Sequence, residues 1–224
     1  MFKTYEEIDS WLQQNQIKNY IINHDLTVNV FTDVLLLNEI KSIPVQFGIV
    51  QGSFICSRIG LTSLKGCPKK VLGTFDCSYN PLKSLKHGPN EVEKSYNCDN
   101  CQLTSFTGCP VKIEGDFYCY NNKIKSFKNS PEYIKGSFRV HNNKFNSFKY
   151  FPAQVRGFIT LNGNYLNKDM LIDFNSVFLD EIITDFSINK EGFILALNEA
   201  KANKELDCLN KLLPTKNQKL KKRL

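Results

Sequence analysis

Eight cysteines and three histidines are the side chains of this sequence best suited to ligate a metal or act as a nucleophile. Cys98-Asp99-Asn100-Cys101 has the CxxC spacing of a zinc or dithiol site. No second CxxC stands at a zinc-like distance from it. His24, His87 and His141 are dispersed and have no evident catalytic partner. No glycine-rich loop of the phosphate-cradling kind is present. These residues therefore predict no metal, no cofactor and no catalysis.

A period accounts for the cysteines better than chemistry does. Gly52, Gly73, Lys94, Gly115, Gly136 and Gly157 are spaced 21 residues apart. Two residues further on stand Phe54, Phe75, Tyr96, Phe117, Phe138 and Ile159, and two beyond those Cys56, Cys77, Cys98, Cys119, Val140 and Leu161. Cysteine thus shares one column with valine and leucine, which is the behaviour of a small buried hydrophobe. Leu61, Leu82, Leu103, Ile124, Phe145 and Leu166 form the next apolar column. Pro68, Pro89, Pro110, Pro131 and Pro152 then precede Val71, Val92, Ile113, Ile134 and Val155. Cys67 and Cys109 lie just before that proline column, two units apart, ~10 Å at the rung spacing of stacked strands and too far for one metal site. A fixed period of this length marks a solenoid, in which each unit buries its apolar face only against its neighbours. Solenoids present long regular surfaces, so binding is the expected function.

The columns also set the organisation of the chain. Asn80, Asn122, Asn143 and Asn164 follow the strand and are expected to turn inward and bond backbone groups left open by the turn. Ile59 and Cys101 take that place in two units. Proline on the return limb favours an extended path over a helix. Counting back 21 residues from the first clear unit places Leu35 at an inward strand position, with Ile40, Ile43, Phe47 and Val50 in the core of an atypical opening unit. Residues 1–30 read as an N-terminal helical and strand cap. Its helix opens with Thr4 and Glu7 as a capping box, Ile8 and Leu12 point inward, and strands lie between Tyr20 and Val30. Residues 31–166 are the repeats. Residues 167–213 read as a C-terminal helical cap, with a short helix over 167–174, a strand within 178–186, and a helix over 191–213 whose apolar face holds Phe193, Leu195, Leu197, Ala200, Leu206, Leu209 and Leu212. Residues 214–224 form a basic tail.

The run Phe75-Asp76-Cys77-Ser78-Tyr79-Asn80-Pro81-Leu82-Lys83-Ser84-Leu85 resembles the leucine-rich-repeat signature. With Pro89 and Val92 it is similar to the short bacterial type, and the whole unit to leucine-rich-repeat-like proteins of tailed phages. The resemblance covers about residues 20–166. It implies a mainly β, leucine-rich-repeat-like solenoid, with parallel strands on a concave face, an extended convex limb and small helical caps at both ends. It also implies an interaction module, in which a host or defence protein would be the target. Cys208 invites comparison with bacterial leucine-rich-repeat ubiquitin ligases, but too few residues follow the repeats to form such a catalytic domain.

Two surfaces follow from the register. Outward strand and turn positions of the concave face carry Ile55, Arg58, Asp76, Tyr79, Asn97, Tyr118, Tyr120, Arg139, His141 and Phe158, a mixture of tyrosine, arginine and polar groups that suits a protein partner. A second outward column is Ser53, Thr74, Ser95, Asp116, Ser137 and Phe158. Residues 52–166 hold 16 basic and 7 acidic side chains, net +9. Part of that excess is stacked in columns: Lys65, Lys86, Lys128 and Lys149, then Lys83 and Lys125. Such an edge either keeps the loops soluble or meets an anionic partner such as nucleic acid. A structural role as a virion component is a third expectation. Hydrophobic residues at 42% argue against disorder. No apolar run reaches the ~18 residues of a membrane span. The opening MFKTYEEIDSWL lacks a basic segment followed by an apolar one, so a cytoplasm is the expected compartment, that of the host if the chain is phage-encoded.

Overall fold

The computed structural model describes residues 1–174, 177–178, 182–183 and 190–212. The basic tail at 214–224 and most of the 178–186 segment lie outside the described residues, as does the side chain of Cys208. The chain is a mainly β solenoid built from two stacks of short parallel strands. One stack is a single eight-stranded sheet. It runs through Val34–Leu35, Phe54–Ile55, Phe75–Asp76, Tyr96–Asn97, Phe117–Tyr118, Phe138–Arg139, Ile159–Thr160 and Ile182–Ile183. Neighbouring strands pair parallel and in register, Phe75 with Tyr96 and Asp76 with Asn97, for example. The other stack lies on the return limb, where Gln46–Val50, Lys70–Val71 and Glu91–Val92 pair in turn, followed separately by Lys112–Ile113, Tyr133–Ile134, Gln154–Val155 and Val177–Phe178. The proline limb is therefore extended, and it also carries a hydrogen-bonded stack of its own.

Burial explains the columns. Phe54, Phe75, Tyr96, Phe117 and Phe138 are fully buried, and the ring centroids of successive members lie between 5.0 and 6.0 Å apart. Aromatic rings at that distance add about 0.5–1.5 kcal/mol per pair beyond area burial. Cys56, Cys77, Cys98 and Cys119 lie beside them as free, buried thiols. The inward asparagines do what the turn requires. Asn122 accepts the Leu103 N–H at 3.0 Å and donates to the carbonyls of Cys98 and Cys119 at 3.0 and 3.2 Å. Asn80, Asn143 and Asn164 make equivalent bonds.

The glycine column is a steric requirement. A Cβ on Gly73 would stand 2.5 Å from the Ser53 nitrogen, inside any tolerated contact. Close approach lets the Gly73, Gly136 and Gly157 N–H groups each bond the carbonyl one rung earlier at 2.9–3.0 Å. Lys94, which carries a Cβ, breaks this series. Among the described residues no such bond joins Lys94 to Gly73 or Gly115 to Lys94. The return-limb stack parts at the same rung, between Glu91–Val92 and Lys112–Ile113. That rung also holds Tyr96 in a phenylalanine column. The Tyr96 hydroxyl is buried without a hydrogen-bond partner. It fills space opened by Gly88, whose added Cβ would come within 3.1 Å of it.

The opening unit differs from the 21-residue count. Val34 pairs with Phe54 and Leu35 with Ile55, a spacing of 20. Val34 and Leu36 are buried, whereas Leu35 is 49% exposed. The unit is one residue short ahead of Ile43, so the inward set falls on Val34 and Leu36 and Leu35 turns outward. A one-residue slip exchanges the two faces of a strand. By Ile49 and Lys70 the spacing is again 21.

The ends are closed by helices. Tyr5–Gln14 is capped by reciprocal bonds between Thr4 and Glu7, and it buries Ile8 and Leu12. The antiparallel strands Tyr20–Ile22 and Thr27–Val30 follow. At the far end a 3-10 helix, Lys168–Asp173, and an α-helix, Lys190–Leu212, pack together. Phe193 is buried, and Ala196, Leu197 and Ala200 pack beside it, at helical spacing. Leu195 and Leu206, expected on that face, are exposed. Among the described residues no helix is long and apolar enough to cross a membrane.

Candidate functional site

The exposed face of the eight-stranded sheet gathers most of the residues that the columns singled out. Parallel in-register pairing places Ile55, Asp76, Asn97, Tyr118, Arg139 and Thr160 in one row, one residue per rung. A second row holds Ser78, Asp99, Tyr120 and His141, and a third Arg58, Tyr79, Asn100, Asn121 and Asn142.

The third row has a backbone constraint. Arg58, Tyr79, Asn100, Asn121 and Asn142 all adopt φ between 50° and 59°, and Gly163 continues them at 70°. Asparagine and glycine suit the left-handed region; arginine and tyrosine are disfavoured there by about 1–2 kcal/mol. The asparagines use the geometry for a side-chain ladder, with Asn121 Nδ2 donating to Asn100 Oδ1 and Asn142 Nδ2 to Asn121 Oδ1, each at 2.9 Å. Arg58 and Tyr79 instead stack on one another, the guanidinium carbon 3.5 Å from the ring centroid.

The first two rows are held by their neighbours. Tyr118 donates its hydroxyl to Asp116 Oδ2 at 2.8 Å, and the Arg139 guanidinium carbon lies 5.4 Å from the Tyr118 ring centroid. Burial, then the Asp116 hydrogen bond, raise the Tyr118 pKa above the usual phenol range, so it stays a neutral donor. Tyr120 and His141 stack with centroids 4.5 Å apart, and His141 Nδ1 lies 3.0 Å from Thr160 Oγ1. Burial, then the charge of Arg139, lower the His141 pKa. Asp99 is almost fully buried. Burial raises its pKa, hydrogen bonds from Asn100 and Tyr120 oppose that shift, and the charge of Asp76 adds to it. Asp76 is half-buried and accepts the Ser78 N–H at 2.9 Å.

In the column of Ser53, Thr74, Ser95, Asp116 and Ser137, four side chains join successive rungs. Ser53, Ser95 and Ser137 Oγ accept the N–H groups of Thr74, Asp116 and Phe158, at 3.1, 3.2 and 3.3 Å. Asp33 and Asp116 do the same for Ser53 and Ser137. These polar groups are consumed in joining rungs. Phe158 stands exposed at the end of that ladder and outside the tyrosine rows.

Two face residues were not legible from the 21-residue count. Leu35 continues the Ile55 row and is half exposed, and Leu37, 79% exposed, continues the Ser78 row. Matching Val34 and Leu36 to Phe54 and Cys56 would have revealed both. The six lysines Lys65, Lys83, Lys86, Lys125, Lys128 and Lys149 are all exposed. Among the described residues none has a carboxylate partner; the ion pairs are Lys70 with Glu91 and Glu93, and Lys112 with Glu114, on the return limb. Five of the thiols are held protonated by burial. Burial pushes Cys56, Cys77, Cys98 and Cys109 well above the usual thiol range and Cys101 up to about 12. A thiol so shifted is a poor nucleophile and a poor ligand.

Comparison with known proteins finds no matching protein family, no matching curated protein and no matching solved structure.

Proposed function

We propose that this chain is a non-catalytic protein-binding module that grips its partner on the exposed face of the eight-stranded sheet. The observation that supports this reading is pre-organisation. Arg58 on Tyr79, Arg139 beside Tyr118, and Tyr120 on His141 are three stacked pairs already fixed on one face. Rigid aromatic and arginine groups make strong interface anchors, and ordering them in advance removes part of the entropy cost of association. Arg58 and Tyr79 also occupy backbone positions where the other rungs use asparagine or glycine. Strain of that kind persists where the surroundings or a function hold it in place. The resemblance of the repeat to leucine-rich-repeat-like proteins of tailed phages makes a host or defence protein the proposed target. Recovery of a partner from bacterial lysate by the wild-type chain, set against the combined changes Tyr79→Ala, Tyr118→Ala and Arg139→Ala, tests this. Loss of the recovered protein is expected; undiminished recovery removes the sheet face from the reading.

A second reading, binding of nucleic acid or a nucleic-acid complex along the lysine edge, is favoured by the exposure of six lysines that have no carboxylate partner among the described residues. It predicts a mobility shift at ~50 mM salt that weakens steeply as salt rises. Absence of a shift at that salt eliminates it.

A further inference from the structure

Resting on the sheet-face reading, we infer that the partner presents an extended segment with a basic residue between an apolar residue and an acidic one. The order comes from the face itself. Its first rungs carry outward apolar side chains, Leu35, Leu37 and Ile55, and Leu35 and Leu37 border a hollow of about 280 Å³ that Ile17 also lines, together with Asp33 and four amide side chains. Next comes negative charge. Asp76 lies on the rung after Ile55, and the buried Asp99 feels its charge. Neither aspartate has a cationic partner among the described residues, since the ion pairs lie on the return limb. The guanidinium of Arg58, one rung before Asp76, is laid over Tyr79. Aromatic rings follow at Tyr118 and Tyr120, then the exposed positive charge of Arg139.

A partner complementary to this sequence of patches places an aliphatic side chain on Leu35, Leu37 and Ile55. Its cation meets Asp76, on the rung of Tyr79, and its carboxylate meets Arg139, beside Tyr118. Charges arranged in this way set register and reject reversed partners. Asp76 and Arg139 are three rungs apart, ~14 Å at ~4.8 Å per rung, which an extended segment spans in about four residues. The spacing between the partner's basic and acidic residues follows from that.

Selection of random short peptides displayed on a carrier, performed against the whole chain, tests the inference. The wild type is expected to enrich peptides with a basic residue between an apolar one and an acidic one about four positions away. Asp76→Asn with Asp99→Asn keeps the acceptor for Ser78 and is expected to weaken capture of those peptides about tenfold or more. Arg139→Gln is expected to remove the acidic preference and leave the basic one. A urea midpoint for each variant separates lost binding from lost folding. Enriched peptides that need Tyr118 but show no basic residue, or that bind the aspartate variant as well as the wild type, overturn the charge order and leave the sheet face as a binding surface. Peptides indifferent to both Tyr118 and Asp76, or no enrichment at all, overturn the inference and the sheet-face reading together.

Discussion

Adjacent asparagines in one rung have unrelated roles, and the difference is measurable. Asn122 is buried and satisfies one backbone donor and several carbonyls of its own and the preceding rung. Asn122→Ala leaves those groups unpaired in the core and is expected to cost about 3 kcal/mol. Asn121 is exposed at φ 52°, and its side chain bonds the amides of Asn100 and Asn142. Asn121→Ala is expected to cost about 1 kcal/mol, mainly for an alanine in the left-handed region. Urea unfolding with unchanged slope reads both; equal losses would contradict the assignment. His141 gives a pH signature. Its folded pKa lies below the ordinary 6.5, because burial and then Arg139 disfavour the imidazolium. The stability it contributes is therefore fully present above 6.5 and lost as the pH falls through the lowered folded value. Asp99 runs the other way: its pKa is raised above 3.8, so its contribution is present below that value and fades as the pH rises through the raised one. His141→Phe keeps a ring on Tyr120 and is expected to flatten the fall in stability on acidification below 6.5. A pH series of urea midpoints that matches the wild type would refute this.

Among the elements, the rung is the unit, and the rung beginning at Lys94 is the irregular one. It combines a lysine in the glycine column, a tyrosine with an unpartnered hydroxyl, Cys101 in place of the ladder asparagine, and the break in the return-limb stack. Lys94→Gly permits the close approach seen at Gly73 and is expected to raise stability by about 1 kcal/mol, with new hydrogen-exchange protection at residue 94. Gly73→Ala forces a Cβ onto Ser53 and is expected to lower stability by about 2 kcal/mol. If Lys94→Gly destabilises instead, the lysine is not the cause of the break. The strands, the inward asparagines and the cysteine column were readable from sequence because each repeats at a constant offset and is buried for the same reason every time. Leu35 and Leu37 were not, since a single missing residue ahead of Ile43 moves the inward set without altering composition. The role of Ser53, Ser95 and Ser137 was hidden for another reason. Alternation marks them as outward, and only the close spacing of glycine-built rungs lets a hydroxyl reach the next N–H. The stacking of Arg58 on Tyr79 and of Tyr120 on His141 was foreshadowed only by their shared columns.

For the molecule as a whole, the stack of rungs converts a local rule into a long ordered wall. Burial lies between successive rungs, the lysines line one edge, the ion pairs sit on the return limb, and the stacked aromatic and arginine pairs lie on the sheet face. Function at this scale is a question of which wall a partner touches. The most direct measurement replaces single residues with a photo-crosslinking amino acid, in cells that contain the partner. Asn97 samples the sheet face, Lys128 the lysine edge, and the exposed Val111 the return limb. The account predicts a protein adduct at Asn97, abolished by Tyr118→Ala with Arg139→Ala, and none at Val111. Adducts confined to Lys128 or Val111, with Asn97 silent, would contradict it.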